Sequence, residues 1–538
     1  MTAPTVTPYR SPLPPARDGF PQLLHSEWTK ARSVRRWSVT LLAAVVITVF
    51  VSLLSALSGS FDVNGSPPPP PKSPDGTPVT DSFPFVHQQL TGDGSITARV
   101  SPLTGREGHI APWAKAGVII KASTDAGSPY AAVMLTPGHG VRLQSDFTHD
   151  TPGSSASGTE PRWLRLSRSG SVLTASESAD GKKWTEVGRA TPAGLPKTVQ
   201  AGLFAATPEL VTVQRHFGST SVGGGPSEVT ASFDRITVDG DRGTADDGDR
   251  GAVVDGDRGA VVDGDRGAVV DGYQGTGTWR QDRVGADPTR AAGSPDRSAQ
   301  TAGTWTLTGS GEIGPLTPDV DLTQRSLSGA QIGLVPLAAL GVLFITTEYR
   351  RGLIRTTLTA GPRRGRMLAA KAFVLAGIVF LTGLLAAVLS FLLAEPALRD
   401  NRPNPGAYPE AALTDGPVLR AVLGTALLLA AVAVLALAVG ALLRNTAAAV
   451  TLIVVVFVLP MVLLAGLPVG TAHWVMKVTP LAGFAVQQTT PRYDFVSTVC
   501  LPVDSCYPQG PWAGLAVLCA YAAVALGLAM WRLRRRDV

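Results

Sequence analysis

Six uninterrupted apolar runs, separated by polar stretches of very unequal length, set the organisation of this chain. They cover residues 38–57, 327–347, 372–394, 421–443, 447–467 and 512–531. Each is close to the ~20 apolar residues that cross a bilayer core. None, with these bounds, contains Asp, Glu, Lys or Arg. The pattern predicts six transmembrane helices, five of them in a membrane domain over 327–538.

Between the first two runs the periodicity changes. From 81 to 240 short alternating segments recur, among them SITARVS, AGVIIKA, YAAVMLT, GVRLQS, WLRLSRS, SVLTASES, VQAGLFAA and ASFDRITV. Gly, Asp and Ser punctuate them at hairpin spacing, with Ser169-Gly170 and Asp180-Gly181 as turn dipeptides. This predicts an all-β domain of two packed antiparallel sheets. Residues 59–80 before it form a Pro-rich linker with a stiff SPPPPPKSP stretch. After it, near-copies of DGDRGAVV start at Asp239, Asp247, Asp255 and Asp263. Two valines per unit bury little, so 241–304 is read as a spacer of octapeptide repeats and disordered linker. A calcium-binding roll is the alternative, although its nonapeptide period is absent. Residues 305–326, with WTLTGSGEIGP, are read as a return segment.

Ahead of the first run lie a Pro- and Thr-rich tail, 1–19, read as disordered, and a helical pattern over 20–37. Phe20, Leu23, Leu24, Trp28, Ala31 and Val34 share one face, while Lys30, Arg32, Arg35 and Arg36 lie largely off it. Trp28, Lys30, Arg35 and Arg36 thus mark an amphipathic interfacial helix meeting membrane lipid. The bland alternative is the basic start of a signal peptide, with Ala56-Leu57-Ser58 as a cleavage pattern.

Charge fixes the orientation. Arg350, Arg351, Arg355, Arg363, Arg364, Arg366 and Lys371 crowd the stretch between the second and third runs, with Glu348 as its one acid. Lys and Arg favour that stretch, the N-terminal segment, Arg444 and the Arg532–Arg536 tail over the other two loops. The positive-inside rule then places both termini in the cytoplasm and residues 59–325 outside a multi-pass cell membrane protein. The net charge of +6 does not mark a nucleic-acid binder, because the cations sit beside apolar spans.

Candidate chemistry is sparse. The chain has no G-x-x-x-x-G-K-[ST], H-E-x-x-H or G-x-S-x-G motif. No metal ligands and no paired catalytic carboxylates stand out, so the expectation is that the chain is not an enzyme. Of the three cysteines, Cys500 and Cys506 fall in one outer loop around a Pro and are candidates for a disulfide. Cys519 is expected to be buried in the last span.

Two resemblances extend this reading. FITTEYRRGLIRTTLTAGPRRGRMLAAKA resembles the first cytoplasmic loop of actinobacterial permease subunits of the type-2 ABC exporter class. LAVGALLRNTAAAV, TPLAGFAVQQT and PWAGLAVLCAYAAVALGLAMWRLRRRDV resemble the same group. The resemblance implies that Glu348, Tyr349, Arg350, Arg351, Gly352, Leu353, Ile354 and Arg355 form a coupling loop docking on a separate ABC ATPase. It implies no cofactor in this chain, ATP on the partner, and a second permease copy or a related permease as a further partner. The stretch WLRLSRSGSVLTASESADGKKWTEV, with VQAGLFAA, resembles concanavalin A-like jelly-roll domains. That resemblance makes Trp163 and Trp184 candidates for the core or for stacking on an extracellular glycan, with the core favoured. The expected fold is therefore a six-helix polytopic membrane protein with a jelly roll inserted between the first and second spans. The expected function is the permease of an ABC-type exporter. The competing reading is a membrane-anchored glycan-binding or envelope-sensing protein without transport.

Overall fold

A computed structural model describes residues 19–57, 69–156, 160–216, 219–225, 227–241, 278–285, 297–318, 320–350, 364–402, 405–408, 410–464, 466–496, 500 and 506–535. The expected disordered tail, most of the repeat and most of the basic stretch between the second and third runs lie outside the described residues.

Nine α-helices are found among them: α1 (Phe20–Ser33), α2 (Arg35–Leu57), α3 (Leu322–Ser326), α4 (Ala330–Arg350), α5 (Arg364–Asp400), α6 (Gly416–Leu443), α7 (Thr446–Leu464), α8 (Val469–Val478) and α9 (Pro511–Arg535). Six of these, α2, α4, α5, α6, α7 and α9, are long and apolar enough to cross a membrane. On α9, Trp512 and Trp531 both face outward, and the helix rises about 28 Å between them. That matches the ~30 Å hydrocarbon thickness, with an indole at each interface. The apolar core of the bundle is built mainly from α4, α5, α6 and α9.

Several helices outrun the apolar runs. α5 starts at Arg364 and continues to Asp400, so Lys371 and Glu395 fall inside it. Glu348 falls inside α4. The apolar runs themselves stay free of charge, and these three residues lie just beyond their bounds at the helix ends. α5 rises about 36 Å from Lys371 to Glu395, so the two groups bracket the hydrocarbon rather than enter it. The segment after α7 folds as α8 and a fully buried 3-10 helix, Pro480–Gln487. Gly514 of α9 admits it, since a Cβ there would lie 2.1 Å from the Ala482 carbonyl oxygen.

The β domain lies in the chain between α2 and α3. Its strands are β1 (Val79–Asp81), β2 (Phe83–Val100), β3 (Thr104–Gly105), β4 (Lys115–Lys121), β5 (Tyr130–Thr136), β6 (Gly140–Ser145), β7 (His149–Pro152), β8 (Arg162–Ser169), β9 (Val172–Ser178), β10 (Thr185–Ala190), β11 (Thr198–Ala206), β12 (Leu210–His216), β13 (Ser219–Gly225), β14 (Val229–Asp241), β15 (Arg280–Val284), β16 (Arg297–Thr301), β17 (Thr304–Gly309) and β18 (Ile313–Pro315). All pairs are antiparallel, and the main sheet runs β10-β9-β8-β2-β11-β4-β5-β6-β7 with β14 and β15 also on β2. The first part of β2 pairs with β11 and the last part with β8. Gly92, at φ 73°, lies between the two parts. The sheet thereby curls into a nearly closed domain around Leu90, Ile96, Val118, Val133, Leu166 and Phe233.

A second apolar layer, with Phe83, Phe85, Ile119, Tyr130, Met134 and Phe204, lies on the opposite face of β2, β11, β4 and β5. β1 and β18 cover it through Val79 and Ile313. That is why β4 and β5 are buried at every position and read as near-continuous apolar runs. The assignment of 241–304 to spacer and linker is corrected here. β15 pairs with β2 and β16 with β17, so both belong to the sheet.

Candidate coupling site

The ends of α4 and α5 that face the basic stretch meet α1 around one lysine. Lys371 Nζ donates to Glu27 Oε2 at 2.6 Å and to Glu348 Oε1 at 2.7 Å. Lys30 Nζ donates to Glu27 Oε1 at 2.9 Å and lies 3.6 Å from Glu348 Oε1. Lys371 is 1% exposed and Glu27 3%. With two carboxylates and two ammonium groups the cluster is neutral, which is what makes burial at this depth tolerable. Phe344 closes it, its ring 5.5 Å from Lys371 Nζ and tilted against Trp37 at 4.7 Å.

Helical periodicity explains the geometry on α1. Leu24, Glu27 and Ala31 fall on one face, and that face turns into the bundle. This is the apolar face drawn from the sequence, with Glu27 within it, while Phe20 at the helix start and Trp28 at the edge of the face are exposed. The interfacial helix is also shorter than expected. It breaks at Val34, and Arg35 and Arg36 open α2 as exposed residues at its basic end.

Other basic groups gather at the same end. The Arg444 guanidinium lies 5.2 Å from the Tyr349 ring, at the αL turn between α6 and α7. Arg532 Nη1 donates to the Leu442 carbonyl at 2.9 Å. Thr446 Oγ1 donates to Thr346 Oγ1 at 3.0 Å. A Cβ on Gly365 would lie 3.2 Å from Arg534, so α9 ends against the start of α5. Of the expected coupling residues, Glu348 and Tyr349 are thus drawn into the bundle. The side chain of Arg350 and all of Arg351, Gly352, Leu353, Ile354 and Arg355 lie outside the described residues. Glu27 was not singled out from the sequence, and Lys371 only as one cation of the basic stretch. The signal available was a lone acid in a basic helix and a lone cation opening an apolar run.

The remaining candidates lie elsewhere. Trp163 and Trp184 are half-buried and outside both apolar layers of the β domain, which corrects the preference for the core. Each carries a cation on its ring, Arg235 at 5.8 Å from Trp163 and Arg165 at 3.9 Å from Trp184. Cys500 and Cys506 are joined by a disulfide. His473 Nε2 lies 2.7 Å from the Cys500 carbonyl oxygen. Cys519 is exposed on α9, not buried as expected. Among the described residues no group of three or more His, Cys, Asp or Glu is placed to hold a metal ion.

No family model and no curated protein matches the chain. Solved structures similar to it include a functionally unknown protein from Saccharomyces cerevisiae at 18% identity and TM-score 0.22, covering 35% of this chain and 90% of that one. A GH43 protein from Bacillus licheniformis matches at 16% identity and TM-score 0.17, covering 21% of this chain and 24% of its own. Scytalido-glutamic peptidase matches at 6% identity and TM-score 0.24, covering 42% of this chain and 98% of its own. Hydrolases stand among these structures, so the expectation that the chain is not an enzyme is withdrawn. At such TM-scores they carry no argument for any particular activity, and none is assigned.

Proposed function

We propose that this chain is the membrane-spanning permease subunit of an ABC-type exporter. It would form the cargo pathway with a second permease copy or a related permease, and couple to a separate ATPase that binds the ATP. The observation that carries the reading is the convergence of α1, α4 and α5 on Lys371 at the root of the basic stretch 351–363. A loop that transmits force needs both its ends held in register, and two carboxylates on one buried ammonium provide that. A loop that only set topology or touched anionic lipid would need no such anchorage.

In this reading the basic end is cytoplasmic, and the β domain, a concanavalin A-like jelly roll, is extracellular. The absence of ionisable residues between Lys371 and Glu395 supports a pathway driven from outside the chain rather than by an intramembrane proton relay. Purification from the native membrane in mild detergent tests the proposal. A stoichiometric ATPase should accompany the chain. Recovery of the chain without one, under conditions that preserve other membrane complexes, overturns it.

A further inference from the structure

Two lysines of one strand hold both of the connections between the β domain and the helices. Lys115 and Lys121 stand six positions apart on β4 and therefore project from the same face. Both are fully buried. Lys121 Nζ donates to Asp81 Oδ2 at 2.7 Å and to the Ser128 carbonyl at 2.9 Å, and the Gly127 N–H donates to the same Asp81 oxygen at 2.7 Å. Lys115 Nζ donates to Glu312 Oε1 at 2.6 Å and to the Ile313 carbonyl at 2.8 Å. Asp81 and Ile313 are direct partners in the β1–β18 ladder. The Ser82 N–H donates to the Glu312 carbonyl at 2.9 Å. The two lysines therefore grip the same rung, at the point where the chain enters the domain and leaves it.

The exit from that rung is short. Six residues after Pro315 the chain reaches Asp321, whose carboxylate accepts the Gln324 N–H as the N-cap of α3. The same carboxylate accepts the Thr489 N–H, the Thr489 hydroxyl and the Thr490 N–H from the loop ahead of α9. A Cβ on Gly314 would stand 3.9 Å from Val496 of that loop. α3 leads directly into α4, whose other end carries Glu348.

We infer that the β domain is a lever fixed to α4, in which the rung clamped by Lys115 and Lys121 and the joint at Asp321 make the domain, the loop 488–496 and the head of α4 move as one body. A domain tethered only to be near the membrane needs no buried charge on its connections, and apolar side chains would fill these sites at lower desolvation cost. What the ion pairs supply is register, since each fixes one connecting strand at one position along β4. A ligand or envelope contact that displaced the domain would then act on the helix that runs into the proposed coupling loop. That last consequence rests on the permease reading, while the mechanical link does not.

Hydrogen exchange on the full chain in lipid nanodiscs tests the link. The quadruple variant Asp81→Asn, Lys115→Met, Lys121→Met, Glu312→Gln removes the clamp without stranding a charge. Exchange should accelerate at least tenfold at Val79–Ser82 and Ile313–Pro315, and also at Leu322–Ser326 and Gln488–Thr490, while β8 and β9 keep their protection. Acceleration confined to the rung overturns the inference. Should that variant not fold, Thr80→Cys with Gly314→Cys places a bridge between register partners. Its oxidised form should slow exchange at Leu322–Ser326 and Gln488–Thr490 several-fold over the reduced form, and equal rates overturn the inference. Neither readout involves an ATPase, so loss of the permease reading would leave both outcomes interpretable.

Discussion

Lys371 Nζ lies 2.6 Å from Glu27 Oε2 across 344 positions of sequence, and the contact joins the first helix of the chain to the start of α5. Glu348 completes it from α4 at 2.7 Å. In a buried cluster of this kind the cost of removing one partner exceeds the worth of the whole, because a charge is left without a counterion. Lys371→Met should therefore destabilise the membrane domain by about 3–5 kcal/mol. Glu27→Gln, Glu348→Gln and Lys371→Met combined should recover most of that loss. Thermal denaturation in detergent of the single and triple variants checks this. A triple variant no more stable than the single one would show that the charges do not compensate one another.

The basic stretch beyond Glu348 has a functional prediction of its own. If Arg351 and Arg355 contact the partner, Arg351→Glu with Arg355→Glu should uncouple ATP hydrolysis from transport while membrane insertion remains normal. Stimulated ATPase activity and cargo export, measured side by side in the reconstituted complex, give the answer. Unchanged coupling would remove the docking assignment.

Much of this architecture is legible in the sequence, for physical reasons that differ from place to place. The six spans are readable because hydrocarbon demands an unbroken apolar run, and each helix covers most of its run. β8 and β9 are readable because one face is covered and the other is not, which imposes period two. β15 and β16 are not, because RQDRV and RSAQT are edge-like polar segments whose pairing comes from β2 and β17 rather than from their own composition. Glu27 escaped notice for a similar reason. Its partner is a tertiary contact with α5, and nothing local distinguishes it from a solvated acid beside Lys30.

The ring of His139 stacks on Trp113 at 3.7 Å, with the Arg142 guanidinium 5.5 Å from the other partner's ring. Burial, followed by the nearby Arg142 charge and opposed by Asp150, holds this imidazole below its usual range. The folded state then binds fewer protons than the unfolded one. Its stability contribution is complete above the unfolded value of about pH 6.5 and is lost as pH falls from there through the lower folded value. The melting temperature of the chain should fall more between pH 7.5 and pH 5.5 than that of His139→Gln. Parallel slopes for the two proteins would show that His139 takes no part.

The disulfide predicts a labelling pattern. Cys519 is the one free thiol among the three cysteines. Alkylation in denaturant should modify one cysteine without reductant and three with it, read by intact mass. Because Cys500 and Cys506 close a loop of only six positions, the bridge should contribute modestly, about 2 kcal/mol. Its loss should act locally, on the His473 contact with the Cys500 carbonyl and on the Arg492 contact with Cys506. Three modified cysteines under both conditions would show that the bridge is absent from the protein.

The octapeptide repeat should be dispensable for folding, and the sheet says why. β14 ends with Asp241 opposite Thr91 of β2, and β15 begins with Arg280 opposite His87 of the same strand. Thr91 and His87 are four positions apart, or about 13 Å along the strand. The chain between Asp241 and Arg280 therefore has far more length than its endpoints require. Deleting Asp247–Val270 removes three whole units and still leaves enough residues to span the gap. By loop-closure entropy the shorter link should leave stability unchanged or raise it by about 1 kcal/mol at most. The melting temperature of the deletion variant, with and without calcium, measures this directly. A marked drop would mean that the repeat packs against the sheet, and a calcium-dependent drop would restore the metal-binding roll as its role.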